Sequence, residues 1–290
     1  FRSWYHKGMT PPLNTRLIWD IPEKIENSHW GWFNMAADDF LADSIVDSNF
    51  QAILRFYTWS PPGISLGIHQ NENAVDINAC KRLGWDVVSR PTGGRTLLHD
   101  NDLSYSIILM SGGSSISQLR YLYKSVANAL ITTLSLFGID GTDSQVATTR
   151  NLRNLAVQQA KLCASSCVRG EVTVNGVKIS SAAQRVYRNS ILQHGSVPLK
   201  GNIANVASVV NLPPDRKDNL KSLLNERAAS LERFCEECPT PHDLAKSFAK
   251  SLEIEFNLSL SSRPWSNSEL SLIHNRRTRF EKFSSAKKAS

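Results

Sequence analysis

The chain has 290 residues, of which 41% are hydrophobic and 20% are charged, so it can bury the core of an ordinary globular protein. Its formal net charge of +7 favours acidic partners. No apolar run is long enough to span a bilayer, so the sequence predicts no transmembrane segment. Five cysteines are an odd number, which argues against a complete disulfide framework and favours a reducing, cytoplasmic setting.

The N-terminal part combines strands and helices. Asn34 stands where it could cap a helix, and Asp38 and Asp39 are expected on the solvated face of that helix. Hydrophobic spacing predicts, in chain order, a strand at 16–20, a helix at 32–43, strands at 52–59 and 64–67, and a short helix at 73–83.

A polar stretch over residues 90–100 separates apolar strands at 87–88 and 103–108. Gly93 and Gly94 allow the backbone to reach positive φ and to approach a ligand closely. A hairpin loop with solvated charges is the alternative for so short a motif. Polar groups concentrated between apolar strands favour a binding site instead. The polar residues around the bend are Arg90, Thr92, Arg95, His99 and Asp100.

The C-terminal half of the sequence predicts a hairpin followed by helices. Asn175-Gly176 between two apolar alternating runs is a strong signal for a tight β-turn. A mixed sheet followed by helices predicts an α+β fold, with a main domain over residues 13–260 and a basic extension over 261–290, which is expected to be solvated. The predicted elements are a helix at 117–137, a hairpin at 170–180, a strand at 182–187 that continues it, a strand at 190–199, helices at 216–227 and 241–252, and an extended piece at 253–260.

Cys235 and Cys238 have the spacing of half a zinc site, and His242 follows them closely. A structural zinc site needs four ligands, and the sequence contains no second Cys-x-x-Cys. We therefore favour two reduced thiols at a helix end, and no metal site is predicted.

Cys163 precedes the hairpin, and Lys178 lies on it. Taken singly, a cysteine in a loop and a lysine just past a turn usually have no functional role. In combination with the glycine loop they suggest acyl chemistry. In such chemistry a thiolate attacks a carbonyl carbon, and a cation or a backbone amide holds the oxyanion.

The run Arg90-Pro-Thr-Gly-Gly-Arg-Thr-Leu-Leu-His-Asp100, followed by Leu103-Ser-Tyr-Ser106, resembles the signature of the lipoate and octanoate protein ligase–transferase family. The resemblance runs from about Arg16 to Leu199. It implies one α+β catalytic domain, a mixed sheet with flanking helices, related to biotin ligases and class II aminoacyl-tRNA synthetases. Further segments resemble the family's first helix, upstream strands, lysine hairpin and following strand, namely 34–38, 54–67, 175–184 and 193–196.

Within that family, the Pro-Thr-Gly-Gly-Arg form is more similar to the cysteine-dependent octanoyltransferases than to the ATP-dependent ligases, which typically have three glycines. The run from Cys163 to Glu171 keeps the cysteine-to-glutamate spacing of that branch. The resemblance implies Cys163 as the nucleophile and Lys178 as the group that holds the acyl carbonyl. The implied substrate-binding residues are Arg90, Thr92, Gly93, Gly94, Arg95, His99, Ser181, Ala182, His194 and Gly195.

The implied reaction transfers an octanoyl or lipoyl group to a lysine of a lipoyl-type domain through a thioester on Cys163. The donor is octanoyl-acyl carrier protein or lipoate, the acceptor is a lipoyl domain or the glycine-cleavage H protein, and no cofactor is required. Ser181-Ala182-Ala183 replaces the family's usual Gly-Ser-Ala. Two alternatives stay open: a lipoate–protein ligase that uses ATP and Mg to form lipoyl-adenylate, and a non-catalytic protein that binds a lipoyl domain or a carrier. Neither nucleic acid nor a membrane is an expected partner.

Overall fold

The computed structural model describes residues 11–24, 29–112, 115–143 and 171–283. The strands in these ranges are β1 (Leu13–Asp20), β2 (Ala52–Tyr57), β3 (Gly63–Leu66), β4 (Asp86–Ser89), β5 (Leu97–His99), β6 (Asp102–Met110), β7 (Thr142–Asp143), β8 (Val172–Val174), β9 (Val177–Lys178), β10 (Ser181–Val186), β11 (Ser190–Pro198), β12 (Leu258–Ser262) and β13 (Glu281–Phe283). The α-helices in these ranges are α1 (Gly31–Ser44), α2 (Ile77–Leu83), α3 (Ile116–Ser135), α4 (Pro214–Arg227), α5 (Pro241–Phe256), α6 (Asn267–His274) and α7 (Arg277–Phe280). The predicted α+β fold with a mixed sheet and flanking helices is confirmed.

A six-stranded mixed sheet in the order β10-β11-β6-β2-β1-β12 forms the centre of the molecule. β1 runs parallel to β2 and β12, and the remaining pairs are antiparallel. Successive side chains of a strand point to opposite faces of the sheet. Leu54 and Ile107 therefore join the core under α3 and α5, whereas Ile53 and Ile108 join the core under α1.

A second sheet in the order β13-β4-β3-β5 packs its apolar residues against α2 and α4. A small third sheet, β7-β8-β9, contains the predicted hairpin. Asn175 and Gly176 both have positive φ, 51° and 78°, as a two-residue hairpin turn of this type requires.

The prediction that residues 182–187 continue the hairpin strand is wrong. β9 ends at Lys178, and β10 starts at Ser181 in the six-stranded sheet, paired with β11. At the end of the ladder the hydroxyl oxygen of Ser180, instead of a backbone carbonyl, accepts the backbone N–H of Val172 at 3.1 Å. The chain thereby passes from one sheet to another within two residues.

The prediction of an extended piece over 253–260 is also wrong in its first half. α5 continues to Phe256, because Leu252 and Phe256 lie one turn apart on the buried face of the helix. Asn257 then takes the left-handed conformation with φ of 52°, which ends the helix, and β12 follows.

The basic C-terminal segment packs onto α1 through α6 and α7 and then pairs with β4 over residues 281–283, so the expectation of a solvated end is wrong for that part. Ile273 and Phe280 are buried in the α1 core. Arg276 and Arg279 each donate from Nη1 to Asp39 Oδ2, at 2.6 and 2.9 Å. Asp39 is only 1% exposed, so its expected place on a solvated helix face is wrong too.

The structure also describes the cysteine pair near His242 and the hydropathy of the helices. Cys235 and Cys238 are partly buried free thiols, and the ring of His242 packs against Trp19 with ring centroids 5.9 Å apart. No helix in the described ranges combines the length and the hydropathy that a bilayer crossing requires.

Candidate active site

A pocket lies where β10 and β11 of the large sheet meet β3 and β5 of the second sheet. Six of the predicted substrate-binding residues line it. The residues around it are Met35, Tyr57, Ser65, Arg90, Leu97, His99, Ser181, Ala182, Ala183, His194 and Gly195. The other four predicted residues, Thr92 to Arg95, form the loop that follows Arg90.

Arg90 holds this loop closed. Its Nε and Nη2 both donate to the carbonyl of Gly93, at 3.1 and 2.9 Å, and Nη2 also donates to the carbonyl of Arg95 at 2.7 Å. Nη1 donates to the carbonyl of Ser65 at 2.9 Å, which fastens the loop to β3. Gly94 has a φ of 95°, a conformation that favours glycine. Arg90 therefore stabilises the loop in addition to lining the pocket.

A buried chain of hydrogen bonds connects the loop to α1. Thr92 Oγ1 lies 2.6 Å from His194 Nε2, and His194 Nδ1 lies 2.9 Å from Asp38 Oδ2. Asp38 also accepts from Arg55 Nη1 at 3.0 Å and from the Tyr57 hydroxyl at 2.9 Å. Asp38 is fully buried, so its expected place on a solvated face is wrong.

The protonation states in this chain follow from its surroundings. Burial lowers the pKa of His194 in spite of the neighbouring carboxylate, so the imidazole is neutral near pH 7. Burial alone would raise the pKa of Asp38, but the hydrogen bond to His194 and the charge of Arg55 lower it below its usual range. An ionised Asp38 accepts the Nδ1 proton of His194, and Nε2 of His194 then accepts the hydroxyl proton of Thr92.

A second chain of the same kind includes Ser65 and His99 of the pocket wall. His99 Nε2 lies 2.9 Å from Ser65 Oγ, and His99 Nδ1 lies 2.8 Å from Asp102 Oδ2. The ring of Trp59 stacks on that of His99 with centroids 3.8 Å apart.

Both chains have the carboxylate–imidazole–hydroxyl order of a nucleophilic triad. Ser65 and Thr92, however, are both 0% exposed. Their hydroxyls are not accessible to a substrate in this structure, and the two chains fix the walls of the pocket.

Lys178 lies in a smaller cavity beside the pocket. The two cavities share Leu97 and Ser181 as lining residues. Lys178 is 2% exposed, and its Nζ lies 2.7 Å from Glu171 Oε1. Cys163, the nucleophile implied by the resemblance, lies outside the described residues.

Several residues that build the site are not among those predicted from the sequence. Arg55 interrupts an apolar strand, and a charge at such a position is the signal that could have identified it. Met35 and Tyr57 belong to ordinary hydrophobic patterns. Glu171 stood in the sequence analysis only as the end of the cysteine segment, and its ion pair with Lys178 is a feature of the three-dimensional structure.

The family model of the lipoyl protein ligase A/B catalytic domain matches residues 31–253. The chain belongs to this family, as the sequence resemblance predicted. The curated relatives named octanoyltransferase LipM include proteins from Geobacillus kaustophilus and Bacillus subtilis. The one from Geobacillus kaustophilus is 29% identical over 231 residues, which cover 79% of this chain and 83% of that protein. The one from Bacillus subtilis is 26% identical over 245 residues, which cover 83% and 88%.

Solved structures show the same fold. A bipartite lipoate protein ligase from Thermoplasma acidophilum matches with a TM-score of 0.71 at 17% identity, over 93% of each chain. A lipoate-protein ligase A bound with ATP matches with a TM-score of 0.69 at 18% identity, over 92% of this chain and 95% of that one.

Proposed function

We propose that this protein is an acyltransferase that moves an octanoyl group from an acyl carrier protein to a lysine of a lipoyl-type domain. The observation that carries the proposal is the similarity to octanoyltransferases over about four fifths of the chain. The pocket supports it, because apolar side chains such as Met35, Leu97 and Ala183 offer a wall for an acyl chain beside a buried lysine.

In the proposed mechanism, the thiolate of Cys163 attacks the carbonyl carbon of the octanoyl thioester. A tetrahedral oxyanion forms with the new C–S bond, it collapses as the old C–S bond breaks, and the carrier thiolate takes up the proton that Cys163 lost when it became a thiolate. The amine of the acceptor lysine then attacks the acyl-enzyme, an amide forms, and the Cys163 thiol is released. Lys178 donates to the carbonyl oxygen in both steps, when negative charge develops there.

The proposal extends to the remaining partners and surroundings. The acceptor is a lipoyl domain or the glycine-cleavage H protein, the catalytic domain spans residues 13–260, and no cofactor takes part. The odd number of cysteines supports a reducing, cytoplasmic setting.

Cys163→Ala is expected to abolish acyl transfer, with a loss of at least about a thousandfold, because the nucleophile is missing. The measurement is the intact mass after incubation with octanoyl carrier protein. The unmodified chain should gain one octanoyl group on Cys163, and the variant none. Cys80→Ala is the matched control, because burial raises the pKa of Cys80 to about 11 and makes this thiol a poor nucleophile. An octanoyl adduct on the variant, or undiminished transfer by it, would exclude the thioester mechanism.

An ATP-dependent lipoate ligase is the second candidate, favoured by the fold shared with lipoate protein ligases. Such an enzyme releases pyrophosphate when it is mixed with lipoate and ATP, and a thioester-dependent transferase does not. Pyrophosphate release together with transfer from lipoate would replace the proposal by this alternative.

A further inference from the structure

Glu171 and Lys178 form an ion pair away from solvent. Lys178 Nζ lies 2.7 Å from Glu171 Oε1, and each residue is 2% exposed. An isolated buried ammonium or carboxylate carries a large desolvation cost, which a close partner of opposite charge offsets. We infer that Glu171 is a positioning residue for acyl transfer, which keeps Lys178 as a fixed ammonium beside the pocket. This inference rests on the proposed function for the role of Lys178 in the reaction.

Backbone hydrogen bonds hold the main chain at Lys178 on two sides. Lys178 pairs with Thr173 across the hairpin, and the Ile179 N–H donates to the Val172 carbonyl at 3.1 Å. On its other side, the Lys178 carbonyl accepts the Ala229 N–H at 3.0 Å. A lysine side chain nevertheless has four flexible torsions. A fixed backbone therefore places the start of the side chain, and the contact with Glu171 places its end.

Within the described residues, Glu171 is the anion that pairs with Lys178. The other residues that line the cavity of Lys178 are uncharged, namely Leu97, Ile179, Ser180, Ser181, Ser196, Pro198, Ile203 and Ala228. Among the described residues, Tyr105 on β6 is a titratable side chain that is affected by the charge of Glu171. Burial raises the pKa of Tyr105, and the charge of Glu171 adds to this effect, so Tyr105 stays neutral. Glu171 is thus the close anion that favours the charged form of Lys178.

Glu171→Gln tests this role, because it keeps the shape and an oxygen acceptor but removes the charge. Without the charge, burial favours the neutral amine of Lys178 near pH 7. A neutral amine is a weaker donor to a developing oxyanion than an ammonium. We expect kcat for octanoyl transfer to fall roughly a hundredfold at neutral pH, with KM little changed. We expect the ratio of the variant's kcat to that of the unmodified chain to rise as the pH is lowered, since Lys178 of the variant then regains its proton, whereas Cys163 and the acceptor amine titrate in both reactions.

A second readout does not depend on activity. NMR of lysine carrying ¹³C at Cε follows the protonation of Lys178 directly, and Lys178→Arg identifies its resonance. The resonance should keep its ammonium shift at neutral pH in the unmodified chain and should move towards the shift of a neutral amine at the same pH in Glu171→Gln. Glu171→Asp, which keeps the charge, should restore the ammonium shift and part of kcat.

Glu253→Gln is the matched control, because Glu253 pairs with Lys250 at 2.8 Å on the exposed face of α5. It should change neither the pH profile nor the Lys178 resonance. Unchanged titration and kcat in Glu171→Gln would overturn the inference, and so would full transfer by Lys178→Met. If the unmodified chain transfers no octanoyl group, the proposed function fails and the catalytic part of this inference fails with it. A shifted Lys178 titration in Glu171→Gln would then still demonstrate the coupling of the two charges.

Discussion

Gly67→Ala is expected to abolish acyl transfer and to lower the free energy of unfolding by about 3 kcal/mol or more. A Cβ atom at this position would lie 2.2 Å from the carbonyl oxygen of Gly94 and 2.9 Å from its carbonyl carbon. Both atoms belong to the backbone of the loop that Arg90 closes, so no side-chain rotation can make room. The end of β3 and the loop must separate.

That separation would break contacts on which the pocket depends. The Ile68 N–H donates to the Thr92 carbonyl at 2.9 Å, and the Arg90 N–H donates to the Leu66 carbonyl at 2.8 Å. Thr92 is also the end of the chain that leads through His194 to Asp38. A shift of this loop therefore displaces a wall of the pocket as well as two backbone hydrogen bonds.

Gly93→Ala is the matched control for stability, because a Cβ atom there meets nothing within 4 Å. Its free energy of unfolding should stay within about 1 kcal/mol of that of the unmodified chain. Urea denaturation of both variants, with an octanoyl-transfer assay for Gly67→Ala, makes the comparison. If Gly67→Ala unfolds at the same urea concentration as Gly93→Ala, the close approach of the two backbones is not real.

Local features of the fold could be predicted from the sequence. The Asn175-Gly176 turn and the positive φ of Gly94 depend on the conformations of the residues themselves, and these can be inferred from the sequence, whereas Gly93 does not have positive φ. The long helix α3 follows from an apolar stripe at helical spacing, and Leu122, Val126 and Leu130 are indeed buried on one face.

The buried polar contacts could not be predicted in the same way. His194 and Asp38 are separated by 156 residues. Hydrophobic periodicity does not predict which acidic side chain contacts a distant histidine. Asp39 looked like a surface residue of an ordinary helix, because its partners Arg276 and Arg279 are more than 230 residues away in the chain. The resemblance named His194 and Thr92 as substrate-binding residues, whereas their mutual contact and their link to α1 emerged only from the structure.

Arg55→Met is expected to lower the free energy of unfolding by about 3–5 kcal/mol, since it leaves buried carboxylates without their cation. Arg55 is fully buried, with Nε 2.6 Å from Asp20 Oδ2 and Nη1 3.0 Å from Asp38 Oδ1. A loss of this size is a large part of the stability of a typical domain, which is about 5–15 kcal/mol. Arg82→Met is the control, because the exposed pair of Arg82 with Asp76 at 4.0 Å contributes little.

In the unmodified chain, the contribution of Asp20 and Asp38 to the free energy of unfolding depends on pH. Burial alone would raise the pKa of Asp20, but the charge of Arg55 and the contact with His29 lower it to about 2. The pKa of Asp38 is lowered as well. Both carboxylates therefore contribute stability above the unfolded pKa of about 4, and this contribution is lost as the pH falls towards 2.

In Arg55→Met, the change in stability with pH that Asp20 and Asp38 cause has the opposite sign. Burial then raises the pKa values of Asp20 and Asp38 above those of the unfolded chain, so the folded state binds more protons as the pH falls. The difference in unfolding free energy between the variant and the unmodified chain should shrink from pH 7 to about pH 5. Urea denaturation over this range measures it, and Arg55→Met combined with Asp38→Asn should show a weaker slope. A constant difference across the range would mean that water or another cation replaces Arg55, and that the buried pairs do not hold β1, β2 and α1 together as charges.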